Sequence, residues 1–253
     1  MKKTLLIIWG LFSAGFVFCQ GPIASPIIGG NVVKVNLSSS LLTEHYLIQY
    51  ERALNLNRSI GIGIGISSGV DLPFKSTLLD QFGDNLDARR AIETTKFDKL
   101  TITPEYRFYL NKKGAPIGFY LATFVRYTKF SFTGDYVFTP SNGVLHIAKV
   151  KGDLNGVGGG AMLGLQWAIG KVITLDWWIV GPFIGVQNGE FNGTSDMSDM
   201  SAADKTKLES DIEAIDIPLW KIDATVSNDA VNAKISGPFV GVRMFGVCLG
   251  VRF

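Results

Sequence analysis

The segment SIGIGIGIS (residues 59–67) places isoleucine at positions 60, 62, 64 and 66 and glycine at positions 61, 63 and 65. Successive side chains of an extended chain point to opposite faces, so the segment predicts a β-strand with one aliphatic face and one face of glycines. The alternation argues against a glycine-rich nucleotide-binding loop, because that loop needs a tight turn that opens a helix. The fold class therefore depends on which solvent covers the aliphatic face.

Seven other segments share this period of two. Together they predict eight strands, at 32–41, 45–54, 59–68, 100–110, 117–132, 149–169, 173–186 and 234–253. From the second link onward, short and long connections alternate, as in barrels with tight turns at one rim and long loops at the other. The pattern predicts an all-β fold, a membrane-spanning antiparallel up-and-down β-barrel. Short helices are expected in two external loops, within 69–99 and over 202–215.

Charged residues fall on the strand faces opposite the aliphatic residues. An eight-stranded lumen is only wide enough for side chains to fill it, and glycines leave room for large inward residues. Because an unpaired charge in such a lumen would be costly, we expect a buried structural ionic network made of Lys34, Glu51, Glu105, Arg107, Arg126 and Asp176. The alternative is a soluble periplasmic β-sandwich or lipocalin-like binder, with these charges solvated at its surface.

The N-terminal segment MKKTLLIIWGLFSAGFVFCQ has two lysines, an apolar run and a small residue before Gln20, which is the layout of a secretory signal peptide. We expect residues 1–19 to be a signal peptide and 20–253 to be a single outer-membrane β-barrel domain. Acylation of Cys19 stays open, although the bulky Phe18 disfavours it.

The charge balance gives no support for nucleic-acid binding. The chain has 24 Lys+Arg and 22 Asp+Glu, and removal of Lys2 and Lys3 with the signal peptide leaves 22 of each. The same cleavage leaves Cys248 as the one cysteine, so no intramolecular disulfide can form.

The C-terminal segment GVCLGVRF (246–253) also alternates. Its parity puts Met244, Gly246, Cys248, Gly250 and Arg252 on one face. The apolar face contains Phe245, Val247, Leu249, Val251 and Phe253.

With the signal peptide, the eight amphipathic strands and the long loops, this terminal strand resembles those of the small OmpA/OmpX-type outer-membrane β-barrels of Gram-negative bacteria. The segments NLSSSLLTEHYLIQYERAL (36–54) and ITPEYRFYLNKKGAPIGFYLATFVRY (102–127) further resemble outer-membrane proteins of unknown function. The resemblance implies an outer-membrane location, contact with outer-membrane lipid and lipopolysaccharide, and recognition of the terminal strand by the barrel-assembly machinery. It implies no cofactor and little about activity.

Enzymatic chemistry has few candidate residues. A lipid-modifying acyltransferase or deacylase would use a rim histidine, and the two histidines suggest His146 with Ser141, or His45 with Ser40 and Glu44. Neither spacing demands such a pair, so we expect no enzyme.

The acidic residues of the last loop are the remaining candidates. A divalent cation could be bound by Asp196, Asp199 and Asp204. These residues lack the EF-hand spacing, so a solvated loop is favoured. We expect no metal and no cofactor. The leading interpretation is a non-enzymatic barrel whose lumen is filled by side chains and whose long loops are candidates for contact with a surface, a glycan or an extracellular partner. The alternatives are the lipid-modifying enzyme and a narrow pore.

Overall fold

The chain forms one antiparallel sheet that closes on itself. The computed structural model describes residues 30–72, 75–82, 86–110, 114–141, 143–214 and 219–253. The predicted signal peptide, Cys19 included, lies outside these residues.

The described part of the chain contains nine strands. Their bounds are β1 Asn31–Asn36, β2 Tyr46–Asn55, β3 Arg58–Asp71, β4 Lys96–Tyr109, β5 Gly118–Phe138, β6 His146–Ile169, β7 Ile173–Thr194, β8 Lys221–Val226 and β9 Ala230–Arg252. Neighbouring strands pair in chain order up to β7, β7 pairs with β9, and β9 closes the ring by pairing with β1. Eight strands therefore make the ring, and β8 is a ninth that pairs with β9 alone. The prediction of an antiparallel β-barrel is confirmed.

The first predicted strand ends five residues early. Asn36 is the last residue of β1, and its side chain accepts a hydrogen bond from the Ser39 backbone N–H at 2.8 Å. This N-cap starts helix α1, Leu37–Thr43, where alternation had predicted strand to residue 41. The serine side chains of this segment can hydrogen-bond to the backbone of a helix's first turn, so the segment is compatible with a helix as well as with a strand.

Three further helices lie in the long loops. Helix α2 is Lys75–Phe82, α3 is Leu86–Thr94 and α4 is Ala202–Glu213. The 69–99 loop thus holds two helices, and the helix expected over 202–215 ends at Glu213. Within the described residues, none of the helices combines the length and apolar character needed to cross a bilayer.

Six strands extend beyond their predicted ends at the rim that carries the long loops. Strands β3, β5 and β7 continue to Asp71, Phe138 and Thr194, and strands β4, β6 and β9 begin at Lys96, His146 and Ala230. The extensions of β5, β6, β7 and β9 form, together with β8, a sheet that stands above the rest of the ring. The hairpin from β8 to β9 lies inside the long loop that the sequence had left without a strand.

An irregularity near the C-terminus reverses the inward and outward positions of β9. Phe245 has a positive φ of 54°, and the ladder omits it and Ile179 between the pairs Trp178–Gly246 and Val180–Met244 without a change of register. From Gly246 to Phe253 the parity is as predicted, but Met244 faces outward with Phe245, and Arg243 faces the lumen. The inward placement of Met244 was therefore wrong, because alternation assumes an unbroken ladder.

The outer surface has an apolar band with a sharp upper edge. The row formed by Tyr127, Val157, Val186 and Pro238, which pair in succession across β5, β6, β7 and β9, is its last apolar row. Two residues further along each strand, the outward row is Lys129, Asn155, Asn188 and Ser236. Below the edge the outward side chains are mostly aliphatic and exposed, for example Ile64, Ile184 and Val242.

Candidate functional site in the barrel lumen

A charged network crosses the lower lumen. Lys34 enters from β1, and its Nζ donates to Glu51 Oε2 of β2 at 2.6 Å and to Asp176 Oδ2 of β7 at 2.8 Å. The third Nζ hydrogen bond goes to Gln166 Oε1 of β6 at 2.9 Å. An ammonium group has three donors, so every donor of Lys34 is used. The strand period places these side chains on the inner face, where they are fully buried.

Arg107 of β4 makes the second centre of this network. Its guanidinium donates to Asp176 Oδ2 at 2.9 Å and to Glu51 Oε2 at 3.2 Å, and it also pairs with Glu105. Its Cζ lies 4.2 Å from the centroid of the Tyr120 ring. The planar group thus contacts three carboxylates and one aromatic face, which is the geometry that suits arginine better than lysine.

Neutral side chains use the remaining carboxylate oxygens. Tyr109 and Ser59 both donate to Glu51 Oε1 at 2.6 Å, and Tyr120 donates to Asp176 Oδ1 at 2.8 Å. Gln49 donates to Glu105 Oε1 at 2.6 Å. A buried ionic group with this many hydrogen bonds holds neighbouring strands in one arrangement, and the loss of any member leaves an uncompensated charge.

The structure brings five of the six expected network residues together and leaves one apart. Arg126 lies higher in the lumen, and its Cζ is 5.9 Å from the Phe183 ring centroid without an ion pair to any described carboxylate. Its place beside the network is taken by Arg243 of β9, whose Nη1 is 3.4 Å from Glu105 Oε2. With Arg243 counted, three cations face the three carboxylates Glu51, Glu105 and Asp176.

Sequence reasoning missed Arg243 and the neutral partners for different reasons. Gln49, Gln166, Tyr109 and Tyr120 share the inward parity of the charged residues, so the period of two was a sufficient signal for them. Arg243 has the outward parity when counted from the C-terminus, and only the irregularity at Phe245 turns it inward.

The two histidines do not contact the serines proposed for catalysis. His45 faces the lumen, where Nδ1 lies 3.0 Å from Ser67 Oγ and Nε2 lies 3.1 Å from Thr101 Oγ1. His146 stacks on Phe138 with a centroid distance of 5.3 Å. Its Nδ1 is 2.8 Å from the Asp196 carbonyl oxygen and its Nε2 is 3.4 Å from Asp199 Oδ2. The arrangements His45 with Ser40 and Glu44, and His146 with Ser141, are therefore not formed.

The acidic loop residues Asp196 and Asp204 accept hydrogen bonds from nearby serines. Asp196 accepts hydrogen bonds from the side chain and backbone of Ser198, and these bonds, with the nearby His146, lower the pKa of Asp196 below its ordinary value. Hydrogen bonds from Ser141 and then from Ser201 lower the pKa of Asp204 in the same way. No group of metal-ligating side chains occurs among the described residues.

Above the apolar band, the outward face of the extended sheet forms a polar groove of about 710 Å³. Side chains from β5, β6, β7, β8 and β9 line it, among them Ser131, Asp153, Asn188, Asp223 and Lys234. The groove carries both signs of charge together with amides and hydroxyls, so it offers hydrogen bonds in many directions.

Comparison with known proteins adds little. No protein-family model and no curated protein matches this chain. A crystal structure of a major outer membrane protein from Thermus thermophilus is similar, with 11% sequence identity and a TM-score of 0.36 over 83% of this chain and 98% of that one. A likeness this low has no bearing on function, and the class that the fold itself defines is the antiparallel β-barrel.

Proposed function

We propose that this protein is an integral outer-membrane β-barrel of eight strands, closed along its axis by side chains, which meets the exterior through its extended sheet and loops. The observation that carries the proposal is the change from the apolar row at Val157 and Val186 to the polar row at Asn155 and Asn188. A soluble monomer rarely exposes an apolar patch larger than a few hundred Å², whereas a bilayer favours a continuous band.

The height of the band supports this proposal. On β9 the apolar outward residues run from Pro238 to Val251, with the irregularity at Phe245 between them. Thirteen residue steps correspond to about 43 Å along a strand, or about 33 Å perpendicular to the membrane for a tilt near 40°. The apolar band of outer-membrane barrels is about 25 Å tall.

Membrane extraction tests the location. Carbonate or urea washing of isolated membranes is expected to leave the protein in the pellet, and the unboiled protein is expected to migrate differently from the boiled protein in a detergent gel. Release into the wash, together with a folded, monodisperse state in buffer without detergent, would contradict the proposal and favour the soluble alternative.

The closed lumen is supported by the complete burial of Lys34, Glu51, Arg107 and Asp176. Purified protein in a planar bilayer is expected to give no stepwise current. Discrete conductance steps that persist after removal of contaminating porins would favour the narrow pore instead.

The lipid-modifying alternative needs a histidine beside a nucleophile. Neither Ser40 nor Ser141 is beside one, and the hydroxyl that does contact a histidine is that of Ser67, 3.0 Å from His45 Nδ1. A doubly substituted protein, His45→Gln with His146→Gln, is expected to leave the lipid A profile of the host unchanged from that with the wild-type protein. Loss of a modified lipid A species in the variant alone would make the enzyme the better interpretation.

A further inference from the structure

The upper lumen contains two cations that have no anionic partner among the described residues. These are Lys99 of β4 and Arg126 of β5, and both point inward, because Lys99 Nζ lies 5.5 Å from the Phe130 ring centroid and Arg126 Cζ lies over Phe183. In the described strands, every inward position nearer the loop rim than Glu105 is free of Asp and Glu. The pairing of cations with carboxylates that holds within the network around Lys34 and Arg107 is therefore absent here.

The two cations act on each other and on a third group. Lys99 pairs across the ladder with Phe130, which is four residues from Arg126 on the same face of β5. The two cations repel each other, His45 lies within their electrostatic range, and Arg243 also repels Arg126. Aromatic faces compensate part of this repulsion, since a cation–π contact contributes about 0.5–2 kcal/mol. Burial of like charges still costs free energy, and a bound anion would remove that cost.

Phenylalanine rings line part of the inner face around the cations, beside the polar His45 and Thr101. Phe183 packs against Phe239 of β9 at a centroid distance of 5.0 Å and against Phe124 at 6.2 Å. Phe130 stacks on Phe132 at 6.1 Å. A ligand that places an anionic group between Lys99 and Arg126 would therefore lie against aromatic rings, which suits a ligand with an apolar part.

The barrel wall is incomplete beside this cluster. On the side of β9 away from β7, β1 pairs only with Cys248–Arg252 and β8 only with residues 231–236. Between these stretches no described strand pairs with β9 on that side, and α1 contacts it through the Val247 N–H, which donates to Ser38 Oγ at 3.1 Å. The residues of α1 and β9 at this gap include the exposed Leu41, Leu42, Val240 and Val242.

We propose that the upper lumen binds an anionic amphiphile, whose phosphoryl or carboxylate group is held by Lys99 and Arg126 and whose apolar part lies on the phenylalanine rings and in the gap between α1 and β9. Arginine and lysine both bind phosphate and carboxylate oxygens through charge-assisted hydrogen bonds. Phe239, which packs on Phe183, lies within the stretch of β9 that has no strand partner on this side, so the proposed entry route of the lipid is this gap. The inference depends on the barrel fold and not on the proposed location of the protein.

Titration of purified protein in a non-ionic detergent tests this site with three probes: inorganic phosphate, dodecyl phosphate and dodecanol. Dodecyl phosphate is expected to bind and to raise the midpoint of thermal unfolding, whereas dodecanol lacks the anion and is expected to have no effect. If inorganic phosphate binds as tightly as dodecyl phosphate, the site takes a free anion and the amphiphile part of the proposal is wrong.

A doubly substituted protein, Lys99→Gln with Arg126→Gln, identifies the site. Dodecyl phosphate is expected to bind it at least about tenfold more weakly, because two charge-assisted contacts are lost. Without ligand, this variant is expected to unfold at the same or a higher temperature than wild type, since the repulsion is removed; a purely structural role predicts a lower one. If the double variant does not fold, the single variants Lys99→Gln and Arg126→Gln are compared with wild type in the same way.

The matched control is Lys149→Gln with Arg58→Gln, which removes the same charge from exposed positions. Equal binding of dodecyl phosphate by the wild type, the lumen variant and this control would overturn the proposal. Failure of the wild type to bind either phosphate probe would also overturn it.

Discussion

Single residues in the lumen have consequences because each joins several strands. Glu51 of β2 accepts from Lys34 of β1, from Ser59 of β3 and from Tyr109 of β4, so one carboxylate links four neighbouring strands. Burial makes each of these contacts stronger than at the surface and makes a missing partner more costly.

Replacement of Glu51 is expected to be severe. Glu51→Gln leaves Lys34 and Arg107 facing one carboxylate fewer in a dry lumen, and the expected loss in free energy of unfolding is about 3–5 kcal/mol. Urea unfolding of protein reconstituted in phospholipid vesicles measures it. Glu190→Gln is the control: Glu190 is exposed and lies 3.7 Å from Lys234, so its change is expected to stay below about 1 kcal/mol. Similar losses for both variants would contradict the network.

A second prediction at this scale concerns the small inward residues. A Cβ at Gly185 would lie 1.9 Å from the Val157 carbonyl oxygen, so Gly185→Ala requires a backbone shift and is expected to cost about 1–3 kcal/mol. At Gly63, which also faces inward, the nearest atom would be 3.8 Å away, and Gly63→Ala is expected to change stability by less than about 1 kcal/mol. The same unfolding experiment compares them, and an equal effect at the two positions would refute the close approach at Gly185.

The secondary-structure elements show where alternation is a sufficient guide and where it fails. Strand β3 follows its isoleucine and glycine period throughout 59–67, because nothing in that segment offers the backbone another partner. Strand β1 stops at Asn36, whose side chain caps α1, and β9 changes parity at Phe245. A cap and a ladder irregularity both depend on contacts that a period of two does not encode.

Helix α4 gives a prediction at the scale of the element. The Ser201 side chain caps it by accepting from the Asp204 N–H at 3.1 Å, and Ser201→Ala is expected to destabilise the helix by about 0.5–2 kcal/mol. Hydrogen exchange of the α4 amides measures the change as faster exchange. Thr206→Ala is the control, because Thr206 Oγ1 only donates back to the Ala202 carbonyl oxygen at 3.1 Å. Unchanged exchange in Ser201→Ala would show that tertiary packing alone holds the helix.

At the scale of the whole molecule, the closed sheet sorts side chains into two environments. In the lower lumen the network pairs three cations with three carboxylates, and the outside carries an apolar band that ends in a single row across four strands. The upper lumen breaks the pattern with unbalanced cations, at the level where β1 ends and the wall is incomplete.

Replacement of an outward residue by arginine distinguishes a barrel surrounded by lipid from one surrounded by water. Ile184 is 69% exposed, so Ile184→Arg would be neutral in a soluble protein, whereas within a bilayer it is expected to cost about 2–4 kcal/mol. Asn188→Arg, two rows higher on the same face of β7, is expected to cost less than about 1 kcal/mol. Folding into phospholipid vesicles measures both, and equal stability of the two variants would argue against a membrane-spanning band.

The sequence by itself determined the class of fold, because the hydrophobic period and the spacing of turns are local properties of the chain. They do not depend on which strands pair in the closed sheet. It also indicated five of the buried charges of the network, since inward parity needs no partner to be known. The tertiary structure alone decided which charges meet. Arg243 pairs with Glu105 while Arg126 does not, because a ladder irregularity and the shear of the ring set heights along the lumen that no single strand encodes.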